Sequence, residues 1–215
     1  MDTRDYLKRI GYRGPARPNV NVLRRLHRRH LLSIPFENLD IHLHRPIILS
    51  EAALYDKIIK HRRGGFCYEL NGSFAILLKK LGFKVSMLSA CVARKGGGFS
   101  PDFEHMTLLV QLKGPWLVDV GFGDSFTEPK RLDIFHPQVD HGKDYRFARK
   151  DGWILSSRRT KGSRFLGASV QLQPYLANPG GFHSEMSLAT NLPKVPLQKG
   201  PLMHSLNSQW KIDPY

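Results

Sequence analysis

A cysteine follows a pair of glycines at the predicted start of a helix. The segment reads RGGFCYELN over residues 63–71. Two glycines allow the backbone to turn tightly into a helix, and Cys67 then lies in the first turn. There its thiol faces unpaired backbone N–H groups and the positive end of the helix dipole, which favours the thiolate. Cys67 is therefore a candidate nucleophile; the alternative is a cysteine buried as a small hydrophobic residue.

A histidine and an aspartate further along the chain could serve this thiol as base and orienting acceptor. His105 opens a predicted strand, and Asp119 lies late in the next one. If these strands form a hairpin around residues 113–115, the two side chains lie near one another, with Cβ atoms roughly 5 Å apart. A buried aspartate needs a partner, and an imidazolium is a suitable one. Without that pairing, His105 would be a core histidine with satisfied hydrogen bonds.

Cys67, His105 and Asp119 thus form a candidate Cys-His-Asp triad in chain order. Such a triad suits acyl chemistry through a thioester on the enzyme, either hydrolysis of an amide or thioester or transfer of the acyl group. The spacing does not choose among these reactions. The second cysteine, Cys91, lies on a predicted strand and is interpreted as a core residue.

The elements that must position these residues change character along the chain. Apolar residues at helical spacing dominate residues 1–82 and predict helices over 51–59, after Ser50 as N-cap, and over 67–81, with Gly82 as the stop. From residue 83, patterns typical of strands cover 85–92, 105–112 and 116–120, with a turn at Gly114 and Pro115. The sequence therefore predicts an α+β fold, with a helical domain (1–82) and a β domain (83–155).

Composition and charge narrow the class of protein. The 215 residues are 41% hydrophobic, every apolar run is interrupted by charge, and the first residues lack a signal-peptide pattern. Two cysteines fit a reducing compartment and no metal-ligand spacing is present, so we expect a cytoplasmic protein without membrane insertion or metal. The net charge of +15 attracts polyanions such as nucleic acid or a phosphate-bearing small molecule, or is simply a solvated surface.

Five motifs, taken together, resemble the arylamine N-acetyltransferase family. They are RIGY at 9–12, IPFENL at 34–39, RGGFCYELN at 63–71, HM at 105–106 and DVGFG at 119–123, and they cover about residues 1–153. The resemblance implies a helical bundle, an antiparallel β-barrel domain and a cysteine-protease-like triad at their junction. Cys67 would attack acetyl-CoA, and the acetyl-cysteine would pass its acetyl group to an arylamine, hydrazine or arylhydroxylamine.

The same resemblance assigns roles to further residues. His105 would relay protons while Asp119 holds its tautomer, and Phe36 and Phe122 would line the acceptor pocket. Residues expected near coenzyme A are Gly97, Gly98 and Gly123, the first two alternatively belonging to a flexible hairpin loop. Residues expected to support the site are Arg9 and Glu37, as an ion pair, and Arg63.

The C-terminal third, residues 156–215, departs from the family pattern. Synonymous codons for residues 180–213 can be chosen so that the next reading frame encodes a string resembling the family's third domain. The tail is therefore interpreted as a frame-shifted or aberrant segment that packs poorly. We expect an intact triad with impaired activity.

Three alternatives to an acetyltransferase stay open. A thiol amidase or thioesterase would use the same triad if water intercepted the acyl-enzyme. A degenerate family member would keep the residues without the activity. A basic nucleic-acid-binding protein is the most distant alternative, because no aromatic-basic binding motif accompanies the charge.

Overall fold

The computed structural model describes residues 1–94, 98–150, 153–160 and 170–174. The helices are α1 (Thr3–Arg9), α2 (Val20–Ser33), α3 (Leu39–His42), α4 (Glu51–Leu54), a π-helix (Tyr55–Lys60) and α5 (Cys67–Lys80). The strands are β1 (Lys84–Val92), β2 (His105–Leu112), β3 (Gly114–Val118), β4 (Lys130–Arg131), β5 (Gln138–Asp140), β6 (Lys143–Lys150), β7 (Trp153–Thr160) and β8 (Val170–Pro174). Helices precede strands, so the α+β prediction is confirmed.

Polar side chains cap the starts of α1, α2 and α4. Asn19 accepts a hydrogen bond from the backbone N–H of Val22 at 3.0 Å and so begins α2. Ser50 caps α4 in the same way, as the sequence predicts. The predicted helix over 51–59 is divided, because the backbone after Leu54 continues as the π-helix. A π-helical turn changes the directions in which its side chains point, and Lys57 lies within this turn.

The hairpin of β2 and β3 is tighter than predicted. Leu112 pairs directly with Gly114, so Lys113 alone makes the turn, and Gly114 and Pro115 belong to β3 instead of to the turn. In this register Leu108 pairs with Val118, and β3 ends one residue before Asp119. Asp119 is thereby diagonal to His105 at the open end of the hairpin.

The described strands form one antiparallel sheet in the order β4-β3-β2-β1-β8-β7-β6-β5. The expected closed barrel is not observed in these strands: β4 and β5, which are two and three residues long, stand at opposite edges. Strands this short offer little backbone for a closing ladder. The edges nevertheless meet, because the Gln138 side chain accepts from the Arg131 N–H at 2.9 Å and donates to its carbonyl at 2.7 Å.

The sheet buries a different core on each face. Residues of α1, α2 and α5 pack against Leu108, Val110 and Val118 of the hairpin. A second cluster, which includes Leu117, Phe126 and Phe147, fills the opposite face. Because neighbouring residues of a strand point to opposite faces, Leu117 and Val118 belong to different cores. The helix α5 is buried along nearly its whole length, so its first residue, Cys67, is held at the junction between helices and sheet.

The chain beyond residue 155 contributes to this sheet. The strand β7 continues through residue 160, and β8 pairs with both β1 and β7. The predicted domain boundary at 155 therefore falls inside β7. The frame-shift interpretation concerns residues 180–213, which lie outside the described residues. Among the helices that the structure describes, none is long and apolar enough to cross a membrane.

Replacing Leu77 by Ala should lower the free energy of unfolding by about 2–5 kcal/mol, because the side chain is fully buried in α5 and its removal leaves a cavity. The matched control is Leu32→Ala in α2, whose side chain is 50% exposed and should change stability by less than about 0.5 kcal/mol. Denaturant unfolding of both variants tests this. Equal losses would contradict the assignment of α5 to the core.

Candidate active site

The N-terminus of α5 presents Cys67 at a capped helix start. Glu69 reaches back so that its carboxylate accepts the Phe66 N–H at 3.1 Å, which completes one half of a capping box. Cys67 itself is buried, with 8% of its surface exposed. The thiol therefore belongs to the first residue of α5, the position that the sequence predicts for it.

The two glycines before Cys67 are required for close packing. Residues 36 and 65 form a parallel bridge, with the Glu37 N–H donating to the Gly65 carbonyl at 2.9 Å. A Cβ atom on Gly64 would lie 2.0 Å from the Pro35 carbonyl oxygen, so no side chain fits there. The bridge also brings Phe36 beside the chain that leads into α5.

Five charged side chains form a partly buried cluster behind the helix start. Lys57, on the π-helix, donates to Glu69 at 2.7 Å and contacts Asp40 at 2.8 Å and Glu37 at 3.7 Å. Arg63 contacts Glu37 at 2.7 Å and Asp40 at 2.9 Å. Burial raises the pKa of Glu69, although Lys57 opposes that shift. The cluster therefore holds the carboxylate that caps the helix of Cys67.

His105 and Asp119 make the central contact of the site. His105 Nε2 lies 2.6 Å from Asp119 Oδ2, and both side chains are buried. Burial by itself would lower the pKa of His105, but the Asp119 carboxylate raises it to about 10, and a hydrogen bond with the Cys67 side chain adds to this. Because Nε2 faces Asp119, Nδ1 is the ring nitrogen available to the thiol. Burial would raise the pKa of Asp119, whereas the His105 imidazolium lowers it below its ordinary value.

Asn71, one turn after Cys67, ties the helix to the triad aspartate. Its amide donates to Asp119 Oδ1 at 2.9 Å and to the Met106 carbonyl at 2.7 Å, and its oxygen accepts the Val120 N–H at 2.9 Å. The Gly121 N–H donates to the same Asp119 oxygen at 2.9 Å. These four hydrogen bonds fix the orientation of the carboxylate toward His105.

Phe122 lies against the triad, and a cleft opens beside it. Its ring meets the His105 ring edge-on, with centroids 4.9 Å apart. Phe36, which is bridged to Gly65 before the helix start, is 40% exposed. The cleft is lined by Thr107, Leu117, Asp119, Phe122, Asp124, Ser125, Phe126, Tyr145, Ser156 and Arg158.

Known proteins are similar to this chain in sequence and in fold. A family model described as N-acetyltransferase matches residues 19–196. The arylamine N-acetyltransferase of Escherichia coli K12 is 40% identical over 153 residues, which cover 70% of this chain and 54% of the relative. The solved structure of the Mycobacterium marinum arylamine N-acetyltransferase matches with a TM-score of 0.81 and 32% identity, covering 90% of this chain and 73% of that one.

The chain belongs to the arylamine N-acetyltransferase family. The Mycobacterium marinum member has also been solved in complex with CoA, and that structure matches with a TM-score of 0.75 and 34% identity over 84% of this chain and 68% of that one. The chain spans about half the length of the curated relatives that it matches. The family match reaches residue 196, beyond the region of the five motifs.

One supporting contact that the family resemblance predicted is replaced by another. The expected Arg9–Glu37 ion pair is wrong: the Arg9 guanidinium donates to the carbonyls of Ser33, Ile58 and Arg62 at 2.6, 3.3 and 3.2 Å. Glu37 contacts Arg63 and Lys57 instead. Three carbonyl acceptors satisfy a buried guanidinium without a carboxylate, which the sequence motif alone does not reveal.

The glycines that the family resemblance places near the coenzyme are only partly described. Gly97 lies outside the described residues. Gly98, with φ of +74°, follows β1, and its carbonyl accepts the Arg94 N–H at 3.1 Å. Gly123, with φ of +77°, directly follows Phe122 at the mouth of the site. Among the residues that the structure describes, no group of His, Cys, Asp and Glu side chains is arranged to hold a metal ion.

Sequence reasoning missed two residues that shape this site, Lys57 and His27. Lys57 was read only as part of a helix, and a sequence pattern does not show that a π-helical turn aims it into an acidic cluster. His27 is a further histidine on α2, and it is fully buried. Its spacing from Leu23 and from His30 on the apolar face of α2 was the signal that could have identified it.

Replacing Gly121 by Ala should displace the start of α5, because the new Cβ atom would lie 2.7 Å from the Cys67 Cα atom. We expect alkylation of Cys67 by iodoacetamide to slow by about tenfold or more, since small misplacements of reacting groups are costly. The matched control is Gly72→Ala in α5, whose Cβ would make ordinary contacts at 3.6 and 3.8 Å. That variant should gain about 0.5–1 kcal/mol of stability from helix propensity and keep its thiol reactivity. Parental reactivity of Gly121→Ala would contradict the close approach.

Proposed function

We propose that this protein transfers an acetyl group from acetyl-CoA to an arylamine, arylhydrazine or arylhydroxylamine through an acetyl-cysteine at Cys67. The observation that carries the proposal is the buried His105, which is hydrogen-bonded to Asp119 and interacts with Cys67 at the N-terminus of α5. The membership of the chain in the arylamine N-acetyltransferase family supports the same reaction. Binding of CoA by the Mycobacterium marinum relative supports coenzyme A as the carrier.

In the first half-reaction the Cys67 thiolate attacks the thioester carbonyl carbon of acetyl-CoA. The new C–S bond to Cys67 forms as the bond to the coenzyme sulfur breaks, and His105 supplies the proton that the departing thiolate takes up. Because Asp119 raises the pKa of His105, the ring is charged at neutral pH and can supply that proton. The product is acetyl-Cys67, with His105 now neutral.

In the second half-reaction the neutral His105 accepts a proton from the attacking amine. The amine nitrogen bonds to the acetyl carbon, the C–S bond to Cys67 breaks, and the thiolate re-forms beside the imidazolium. Asp119 stabilises the imidazolium through its contact with Nε2, and it holds Nδ1 toward the reacting atoms. The starting protonation state is thereby restored.

The positions of aromatic residues, of glycines and of basic charge indicate where the acceptor and the coenzyme bind. Phe122 against His105 and the partly exposed Phe36 offer aromatic surfaces to a flat aryl ring. We place coenzyme A near Gly97, Gly98 and Gly123, which lack side chains to obstruct it. The excess of basic residues, 33 Lys and Arg against 18 Asp and Glu, suits the coenzyme phosphates.

Incubation with acetyl-CoA alone, followed by intact mass measurement, tests the first half-reaction. We expect a gain of one acetyl group in the parent and in Cys91→Ala, and none in Cys67→Ala. Cys91 is the matched control, since it is also a buried cysteine but bonds to Asp102, and its pKa is raised to about 12 by burial first of all. Acetylation that survives in Cys67→Ala would contradict the proposed nucleophile.

The same incubation separates a transferase from a hydrolase. Acetyl-enzyme that persists in water and disappears when an arylamine is added, with one amide formed per coenzyme A released, supports transfer. Release of coenzyme A with acetate and without a lasting adduct would assign a thioesterase instead. Neither adduct nor release would mean that the triad residues are present in a protein without the activity, which would contradict the proposal.

A further inference from the structure

A buried histidine outside the triad touches the backbone of the triad aspartate. His27 lies on α2 and is fully buried, with its ring stacked on Phe126 at a centroid distance of 5.8 Å and an interplanar angle of 17°. Its Nε2 atom lies 2.9 Å from the Asp119 carbonyl oxygen, and its Nδ1 atom lies 2.9 Å from the Thr127 carbonyl oxygen. The Asp119 N–H also points to Nε2, at 3.4 Å.

The two contacts of His27 enclose the segment that forms one wall of the site. Residues 119–127 begin with the triad carboxylate, pass through Phe122 beside His105, and end at Thr127. In the described structure this segment lies between β3 and β4 and contains no strand of its own, so the sheet ladder does not fix its ends. The imidazole of His27 bridges those ends from the helical side.

Rigidity of the ring makes this bridge specific. The ring nitrogens of an imidazole stand at a fixed separation, so contact at Nδ1 sets the position of Nε2. Phe126 stacks on one face of the ring and Phe74 meets it edge-on with centroids 6.4 Å apart, which limits its rotation. Burial lowers the pKa of His27, so the ring is neutral and carries a single N–H. We assign that hydrogen to Nδ1, which then donates to the Thr127 carbonyl, while Nε2 accepts the Asp119 N–H, so the ring contacts both ends of the segment without a charge.

We propose that His27 is a positioning residue for the acyl-transfer site: its ring holds the backbone of Asp119, and thereby the carboxylate, in register with His105. The reaction itself rests on the proposed function, but the positioning role concerns the Cys67–His105–Asp119 arrangement in the free protein. It can therefore be tested without acetyl-CoA, and its failure is distinguishable from the failure of the proposed function.

His30 provides a matched control on the same helix. It is also fully buried, and it packs edge-on to Phe74 with centroids 5.1 Å apart. Its Nδ1 atom bonds to the Tyr6 hydroxyl at 2.9 Å, within the helical layer and away from the triad. A core role alone predicts the same consequences for substitution at His27 and at His30, whereas the positioning role predicts different ones.

The experiment compares Leu and Gln at each histidine, in a Cys91→Ala background so that only Cys67 reacts. Leucine removes the ring nitrogens at similar volume. Glutamine places its amide group the same number of bonds from Cβ as His Nε2, so His27→Gln can keep a hydrogen bond with the Asp119 backbone. The rate of iodoacetamide alkylation is measured across pH, and the free energy of unfolding is measured in parallel.

We expect His27→Leu to slow alkylation by about 10- to 100-fold near neutral pH, because the Asp119–His105 alignment is lost. His27→Gln should recover most of the rate and the shape of the pH profile. His30→Leu and His30→Gln should lose stability but keep the parental profile.

Two results would overturn the proposal: a folded His27→Leu with the parental profile, or His30→Leu slowed as much as His27→Leu. If His27→Leu does not fold, His27→Gln is compared with His27→Met, which has the same length but lacks the amide. Slower alkylation in His27→Met than in His27→Gln supports the role, and equal rates contradict it.

Discussion

A buried carboxylate is the constraint on which the rest of this site depends. Asp119 lies at the junction of helices and sheet, where an ion without partners would cost several kcal/mol. The structure supplies His105, the Asn71 amide and the Gly121 N–H to its two oxygens. Since the pair raises the pKa of His105, its contribution to stability is full below about pH 6.5 while Asp119 stays ionised, and it is lost as pH rises through about 10. Because the pair also lowers the pKa of Asp119, the contribution is lost again in acid, as that carboxylate takes up a proton. The pair stabilises the fold and keeps the His105 imidazole protonated at neutral pH.

A second, partly buried set of charges lies on the nucleophile's side of the site. Lys57 and Arg63 hold three carboxylates, of which Glu69 caps the helix that begins at Cys67. The two sets meet through α5, because Asn71 on that helix contacts Asp119. The helix start and the sheet hairpin are thus connected by hydrogen bonds at both ends of one helical turn. These hydrogen bonds hold Cys67 and Asp119, which are far apart in sequence, at a fixed distance without a bound substrate.

Much of this arrangement follows from local sequence patterns. The glycine pair and the apolar face locate Cys67 at the start of α5, and alternation places His105 at the start of β2. Nonlocal packing was harder to predict: the Arg9 carbonyl contacts, the aim of Lys57 from a π-helix and the burial of His27 depend on elements that meet only in the fold. The open sheet follows from two very short edge strands, and β8 joins β1 from a segment without periodicity.

Titration of His105 by NMR of the nitrogen-labelled imidazole tests the central claim most directly, because it reports the charge that the buried pair maintains. The ring should stay protonated through neutral pH and release its proton only near pH 10. In Asp119→Asn, which keeps the shape but removes the charge, burial should drive the ring to release its proton at much lower pH. A parent protein whose His105 titrates near the ordinary imidazole value of about 6.5 would contradict the account, because the carboxylate would then not control the imidazole.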